Sequence, residues 1–345
     1  MSTVKYGSLE EFILKEKPNK AFVIGIGGGG DILATIPTAN WLRMLGISVT
    51  LGAVIWERWV VDPVPGPIQM EEMRNVDVIC ERIGIVNKKS YAMRGGKKVI
   101  PQIVNAARVL KEDMVAIDVS GGVQGVLKCL KMFVESENYD IVIGIDSGGD
   151  VLAVGGEKEL WSPIADQIML ATLANLESPN AIGIFGLGTD GELPLNYIIE
   201  RLKNIVRAGG YLGLRGITNK DIEMLEELMK HVITETTRAA INAAKCIDNS
   251  NIIRSGTRRV DLSLGILIPI TVYLSTHVLF KQSKMAKAIV NTKSVWEVRD
   301  ILNGMGIFTE IDLEIKIMEA LKKGEKPNPY EIKENWYKTI GKDIT

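Results

Sequence analysis

The chain has 345 residues, of which 24% are charged, and its formal net charge is −1. That length buries a full-sized core, and a balanced charge without a basic block excludes both disorder and a coat-like grip on nucleic acid. Only two histidines, His231 and His277, and three cysteines without a Cys-x-x-Cys pair exclude a histidine-rich metal site and argue against a Ser-His-Asp triad.

Residues 1–20 carry Glu10, Glu11, Lys15, Glu16 and Lys17 and lack an apolar signal core. Together with Cys80, Cys129 and Cys246, read as free thiols, this predicts a cytoplasmic protein. From residue 21 the chain alternates apolar β-rich runs with helical ones. The pattern predicts an α/β, Rossmann-like fold: a mostly parallel sheet with helices on both faces and a helix-rich C-terminal part.

The first strand covers 21–26 and runs into Gly27, Gly28, Gly29 and Gly30, then a helix over 31–44. A second strand, 48–56, leads through Glu57 and Arg58 into a proline-dense loop at 62–67. Helices are expected over 70–82 and 101–112, a third strand over 114–118, and a helix from there to 134. The fourth strand, 141–145, ends in Asp146-Ser147-Gly148-Gly149-Asp150. Ser162-Pro163 reads as an N-cap with proline at the first helical position, opening a helix to 176. A fifth strand over 181–185 ends in a glycine-rich turn holding Asp190 and Glu192, and a helix follows over 194–208.

Beyond a soft boundary near residue 215 the pattern is helical over 219–246. A loop or strand then carries Arg254, Arg258 and Arg259. The uncharged run 262–280 holds Gly265, Pro269 and several hydroxyl residues, so a strand entering a buried segment explains it better than a membrane span. Helices over 295–302 and 310–322 and a polar tail close the chain. With no flexible linker in sight, residues 1–345 read as one domain, which leaves room for a homo-oligomer.

The strongest chemical signal is the glycine run Gly27–Gly30 between strand and helix, where glycines admit close approach and a helix start favours an anion. The spacing fits Gly-x-Gly-x-x-Gly at Gly25, Gly27 and Gly30, but the next strand lacks the acidic residue that a dinucleotide ribose wants. Asp31, directly after the glycines, is either a helix cap or a general base. Three later strands also end in glycine plus acid: Asp118, Asp146 with Asp150, and Asp190 with Glu192. In a parallel sheet these ends share one edge, and carboxylates gathered there call for a cation.

The expected roles follow. Gly27–Gly30 cradle phosphate, Asp146 and Asp150 hold Mg²⁺, and Asp190 and Glu192 offer a second contact. Asp31 serves as base, Asp146 and Asp150 take part in catalysis with it, and Arg254 and Arg258 clamp the anion. A metal-assisted enzyme on a phosphorylated or nucleotide-type metabolite is the leading expectation, with phosphoryl transfer favoured. An NAD(P)- or flavin-dependent oxidoreductase and a non-catalytic metabolite sensor are the alternatives. The expected partner is a phosphate-bearing small molecule, with neither nucleic acid nor membrane involved.

The stretches 25–31, Trp56-Glu57-Arg58 with 62–67, 144–156 with Ser162-Pro163, 183–193 and 253–260 together resemble a mainly archaeal family, domain of unknown function 1152. The resemblance runs over roughly residues 20–275. It implies a single Rossmann-like domain, and no reaction or catalytic residue.

Overall fold

The computed structural model of the chain describes residues 6–247, 252–254 and 258–341. Ten strands form one sheet: β1 (Lys20–Gly25), β2 (Ser48–Val54), β3 (Met73–Cys80), β4 (Ile83–Arg94), β5 (Lys97–Val99), β6 (Met114–Ile117), β7 (Ile141–Ser147), β8 (Asn180–Phe185), β9 (Tyr211–Gly216) and β12 (Ile270–Leu274). A separate two-stranded ribbon joins β10 (Ile252–Ile253) to β11 (Arg258–Arg259). The order across the sheet is β3-β4-β6-β2-β1-β7-β8-β12-β9, with β5 pairing off β4. The five central strands, β6-β2-β1-β7-β8, are all mutually parallel. On either side of them, β4 and β12 are antiparallel.

Because successive side chains of a strand point to opposite faces, β1 feeds two cores. Phe22 and Ile24 pack with the helices Gly122–Ser136 and Pro163–Ala174. Ala21 and Val23 pack on the other side with Ile36–Met44 and Gln102–Leu110. Burial on both faces explains why the central strands read as unbroken apolar runs.

Several expectations are corrected. Residues 70–82 are not a helix: a short 3₁₀ turn (Met70–Glu72) leads into the hairpin of β3 and β4. The apolar residues there are compatible with either period, and pairing of β4 with β6 decides for strand. Strand β9 adds an unexpected edge. The helical stretch 219–246 is two helices, Asn219–Leu228 and Glu235–Ala244. The expected polar tail contains the helix Pro329–Thr339, started by Asn328 accepting from the Glu331 N–H and anchored where Tyr337 packs with Trp161 and Phe308. Cys80 and Cys129 are not free thiols but a disulfide, with Cα atoms 6.0 Å apart, so the cysteines say nothing about a reducing compartment.

The uncharged run contributes β12 and the helix Thr276–Gln282. Among the described residues no helix is long and apolar enough to cross a membrane. Strand β12 comes after the soft boundary near 215 yet inserts between β8 and β9, so both parts of the chain build one sheet.

Candidate functional site

Parallel pairing brings the C-terminal ends of β1, β7 and β8 to one edge, with the turns carrying Asp31, Asp146–Asp150 and Asp190–Glu192. The strand β1 ends in Gly25, and a 3₁₀ turn, Gly29–Thr35, precedes the α-helix that begins at Ile36. Asp31 therefore does not cap a helix. Its carboxylate reaches back and accepts the Gly27 N–H at 2.9 Å. That spends the Gly27 amide, and the glycines facing open space are Gly28, Gly29 and Gly30.

Carboxylate oxygens of Asp31, Asp146 and Asp166 all lie within 4.8 Å of one another, and all three residues are buried. Asp146 and Asp166 are each 1% exposed, and one oxygen of each (Oδ1) has no hydrogen-bond partner. Burial is the first cause that raises both carboxyls well above the ordinary range. Mutual repulsion adds to it, from Asp166 and Asp31 on Asp146 and from Asp150 and Asp31 on Asp166. Burial also lifts Asp31 to about 7, against the Gly27 N–H and the nearby Arg58 charge. Unpartnered buried carboxylate oxygens at this spacing are costly without a cation. A donor set made only of oxygen suits a hard ion such as Mg²⁺ or Mn²⁺.

Asp166 was not among the expected residues. It sits on the first turn of Pro163–Ala174, a helix in which every residue but the last, Ala174, is buried. An aspartate in an otherwise nearly all-apolar helix was the available signal, because such a charge is rarely buried without a function or a partner. Asp150 lies beside Asp146 but outside the trio; burial and then the Asp146 charge raise its carboxyl strongly. Asp190 accepts the Glu192 N–H at 2.9 Å through Oδ1, while its Oδ2 has no partner.

Glu192 is committed elsewhere. It accepts from the N–H groups of Trp161 and Ser162, from the Ser162 hydroxyl, and from Arg258 at 2.8 Å. Burial alone would raise it, but Arg258 foremost and then Ser162 and Trp161 hold it at about 2. Ser162 consequently does not cap its own helix. The carboxylate of Glu310 does, accepting from Ile164 at 2.9 Å and Ala165 at 3.2 Å. Asp118 also stands apart, bound by Arg82 at 2.7 Å and by the N–H groups of Met70 and Ser120.

Close packing explains one glycine directly. A Cβ at Gly27 would sit 2.6 Å from Asp31 Oδ2 and 3.1 Å from Asp166 Oδ2. Gly27 has no positive φ, so alanine suits its backbone, and the three atoms nearest its Cβ are carboxylate oxygens of Asp31 and Asp166. Gly27→Ala is therefore expected to keep the fold while displacing Asp31 and Asp166. Circular dichroism should stay near wild type, and calorimetry should show Mn²⁺ affinity reduced by at least about tenfold.

Next to this cluster lies a small chamber of about 60 Å³, lined by Gly28, Gly29, Gly30, Glu57, Arg58 and Gln102 among others. A cleft of about 340 Å³ adjoins it. Arg58, Thr234, Glu235 and Arg254 border both, while Arg238 and Arg258 border the cleft alone. Burial raises the Glu57 carboxyl to about 7; one of its oxygens accepts the Gln102 N–H at 2.8 Å. Burial works against the Arg58 guanidinium, yet Glu310, Glu314, Glu192 and Asp150 around it hold its proton more tightly than usual. Arg254 is lowered to about 10 by burial and then by the Arg258 and Arg58 charges. The expected clamps are thus on the cleft wall, each with an acidic neighbour: Arg254 with Glu235 at 3.6 Å and Arg258 with Glu192.

A family model described as "Protein of unknown function (DUF1152)" matches residues 22–318. The chain belongs to this family. No curated protein and no solved structure matches the chain. Within the family match lie the whole acidic trio, all four cleft arginines, and the distant Glu310 and Glu314.

Proposed function

We propose that this protein is a divalent-cation-dependent enzyme acting on a phosphate-bearing small metabolite, with phosphoryl transfer as the reaction class. The observation that carries the reading is the buried trio Asp31, Asp146 and Asp166, with unpartnered oxygens, beside an arginine-lined chamber. A bound Mg²⁺ would supply charge neutralisation for a phosphate oxygen. Arg58 and Arg254 border the space where the anion would lie.

Glu57 faces that chamber and, at about 7, is matched to accept a proton at neutral pH. In the transfer, an acceptor hydroxyl gives its proton to Glu57 as its oxygen bonds to phosphorus. The bond from phosphorus to the leaving oxygen breaks, and the electron pair stays with that oxygen. Asp31 moves in this scheme from base to cation ligand. A dinucleotide reading draws less support, since β2 (Ser48–Val54) itself carries no acidic residue for a ribose.

Two variants test the division of roles. Glu57→Gln keeps an oxygen for the Gln102 N–H, so Mn²⁺ affinity should match wild type while turnover of a phosphoester and phosphoanhydride panel falls by about 10²–10⁴-fold. Asp31→Asn should lose both cation binding and turnover. Wild-type protein that takes up no Mn²⁺ in calorimetry would sink the proposal.

A further inference from the structure

The cleft holds four arginines in unequal states. Arg254 and Arg258 each have a carboxylate neighbour, whereas Arg58 and Arg238 form no salt bridge among the described residues. Arg58 is half-buried, and its one hydrogen bond among the described residues, from Nη2 to the Gly27 carbonyl, is long at 3.4 Å. Arg238, on the helix Glu235–Ala244, is exposed where the cleft opens and has no hydrogen-bond partner among the described residues. Carboxylates near Arg58 hold its charge, but among the described residues none is in ion-pair contact, so its planar fork stays open to a phosphate or carboxylate. The two sit at different depths, because Arg58 borders chamber and cleft and Arg238 only the cleft.

Of the two cleft tryptophans, Trp59 and Trp161, the ring of Trp161 is already covered. The Trp161 ring already carries the Arg258 guanidinium at 5.3 Å and the Lys333 ammonium at 4.1 Å. Phe308 and Tyr330 meet it edge-on. Trp59, Val60, Ile233 and Leu313 supply the remaining apolar contacts.

We infer that the ligand is a compact metabolite with two anionic groups: a phosphate at the Arg58 end and a second phosphate or a carboxylate at Arg238. The inference rests on the phosphate reading above and narrows its substrate class. The second group is named only by its shared anionic chemistry, and the probes separate its two sources.

Calorimetry in Mg²⁺ would compare glycerol 3-phosphate, 3-phosphoglycerate, fructose 1,6-bisphosphate and ATP. At least one of the two bis-anionic probes should bind at least about tenfold tighter than glycerol 3-phosphate. Which of them does so assigns the second group as carboxylate or phosphate. Arg238→Gln, an exposed change expected to leave the melting temperature unaltered, should erase that margin and leave the glycerol 3-phosphate Kd unchanged. Arg58→Gln should weaken every probe. Equal binding of the mono- and bis-anionic probes, a margin that survives Arg238→Gln, or ATP binding tightest of all would each overturn the inference while leaving the phosphate reading intact. If no phosphate compound binds although Mn²⁺ does, the phosphate reading fails and the inference falls with it.

Discussion

Asp166→Asn is expected to abolish the rise in melting temperature produced by Mn²⁺ and, without cation at pH 8, to make the protein more stable than wild type. Both signs follow from one arrangement. Asp166 stands within a trio of buried carboxylates whose oxygens lie within 4.8 Å. Like charges about 4 Å apart repel by about 4 kcal/mol at an effective dielectric near 20, although protonation relieves part of that. An amide removes one of the charges at nearly constant volume, so the metal-free protein gains. On the proposed reading the same change also removes a cation ligand, so Mn²⁺ should no longer shift the melting temperature. Differential scanning fluorimetry with chelator and with Mn²⁺ reads both effects on one sample. An Asp166→Asn protein that is destabilised without cation and still shifted by Mn²⁺ would mean a purely structural aspartate.

Without added cation, stability should fall as pH rises, most steeply between about pH 5 and 7. Burial raises Asp31, Glu57, Asp190 and Glu314 to about 7 and Glu310 to about 8, from ordinary values of 3.8 for aspartate and 4.5 for glutamate. In that window the folded chain retains protons that the unfolded chain has released, so each step upward favours unfolding. The contribution is complete below about pH 4 and gone above about pH 8. Lys333 acts in the opposite sense: burial lowers it to about 7, so from there upward the unfolded chain binds the extra proton and the decline flattens. Urea unfolding in chelator at four pH values from 5 to 8 measures the trend. Saturating Mn²⁺ should flatten it further by keeping Asp31 ionised. A flat profile in chelator would contradict the burial of these groups.

The central strands and the turns that follow them were legible because each strand ends in an audible change, from an apolar run to glycine and acid. Parallel pairing then puts Asp31, Asp146 and Asp190 on one edge without any further information. What was not legible depends on partners far away in the chain. Residues 73–94 carry apolar positions that suit either a helix or a hairpin, and only the β4–β6 pairing resolves them. Glu192 looks like one more acid in a glycine turn, yet Arg258 and the Trp161–Ser162 backbone consume its oxygens. Asp166 carries no motif at all, since its neighbours in the trio come from β7 and from the turn after β1. Arg58 was readable as a residue just past the second strand, and its lack of a salt bridge is a property of the packed molecule.

The helix that presents Asp166 is not self-sufficient. Its first N–H groups are held by Glu310, and the Leu160 carbonyl before it is held by Lys333 at 2.7 Å. Both come from the closing segment of the described chain, 146 and 173 residues further along. During synthesis the five parallel strands, from β1 to β8, can therefore be complete while the start of the helix that carries Asp166 still lacks the groups that tie it. On the proposed cation reading, capture would wait for that closing segment. A chain ended before residue 310 would keep Asp31, Asp146 and Asp166 but leave the first N–H groups of the Asp166 helix without the Glu310 carboxylate.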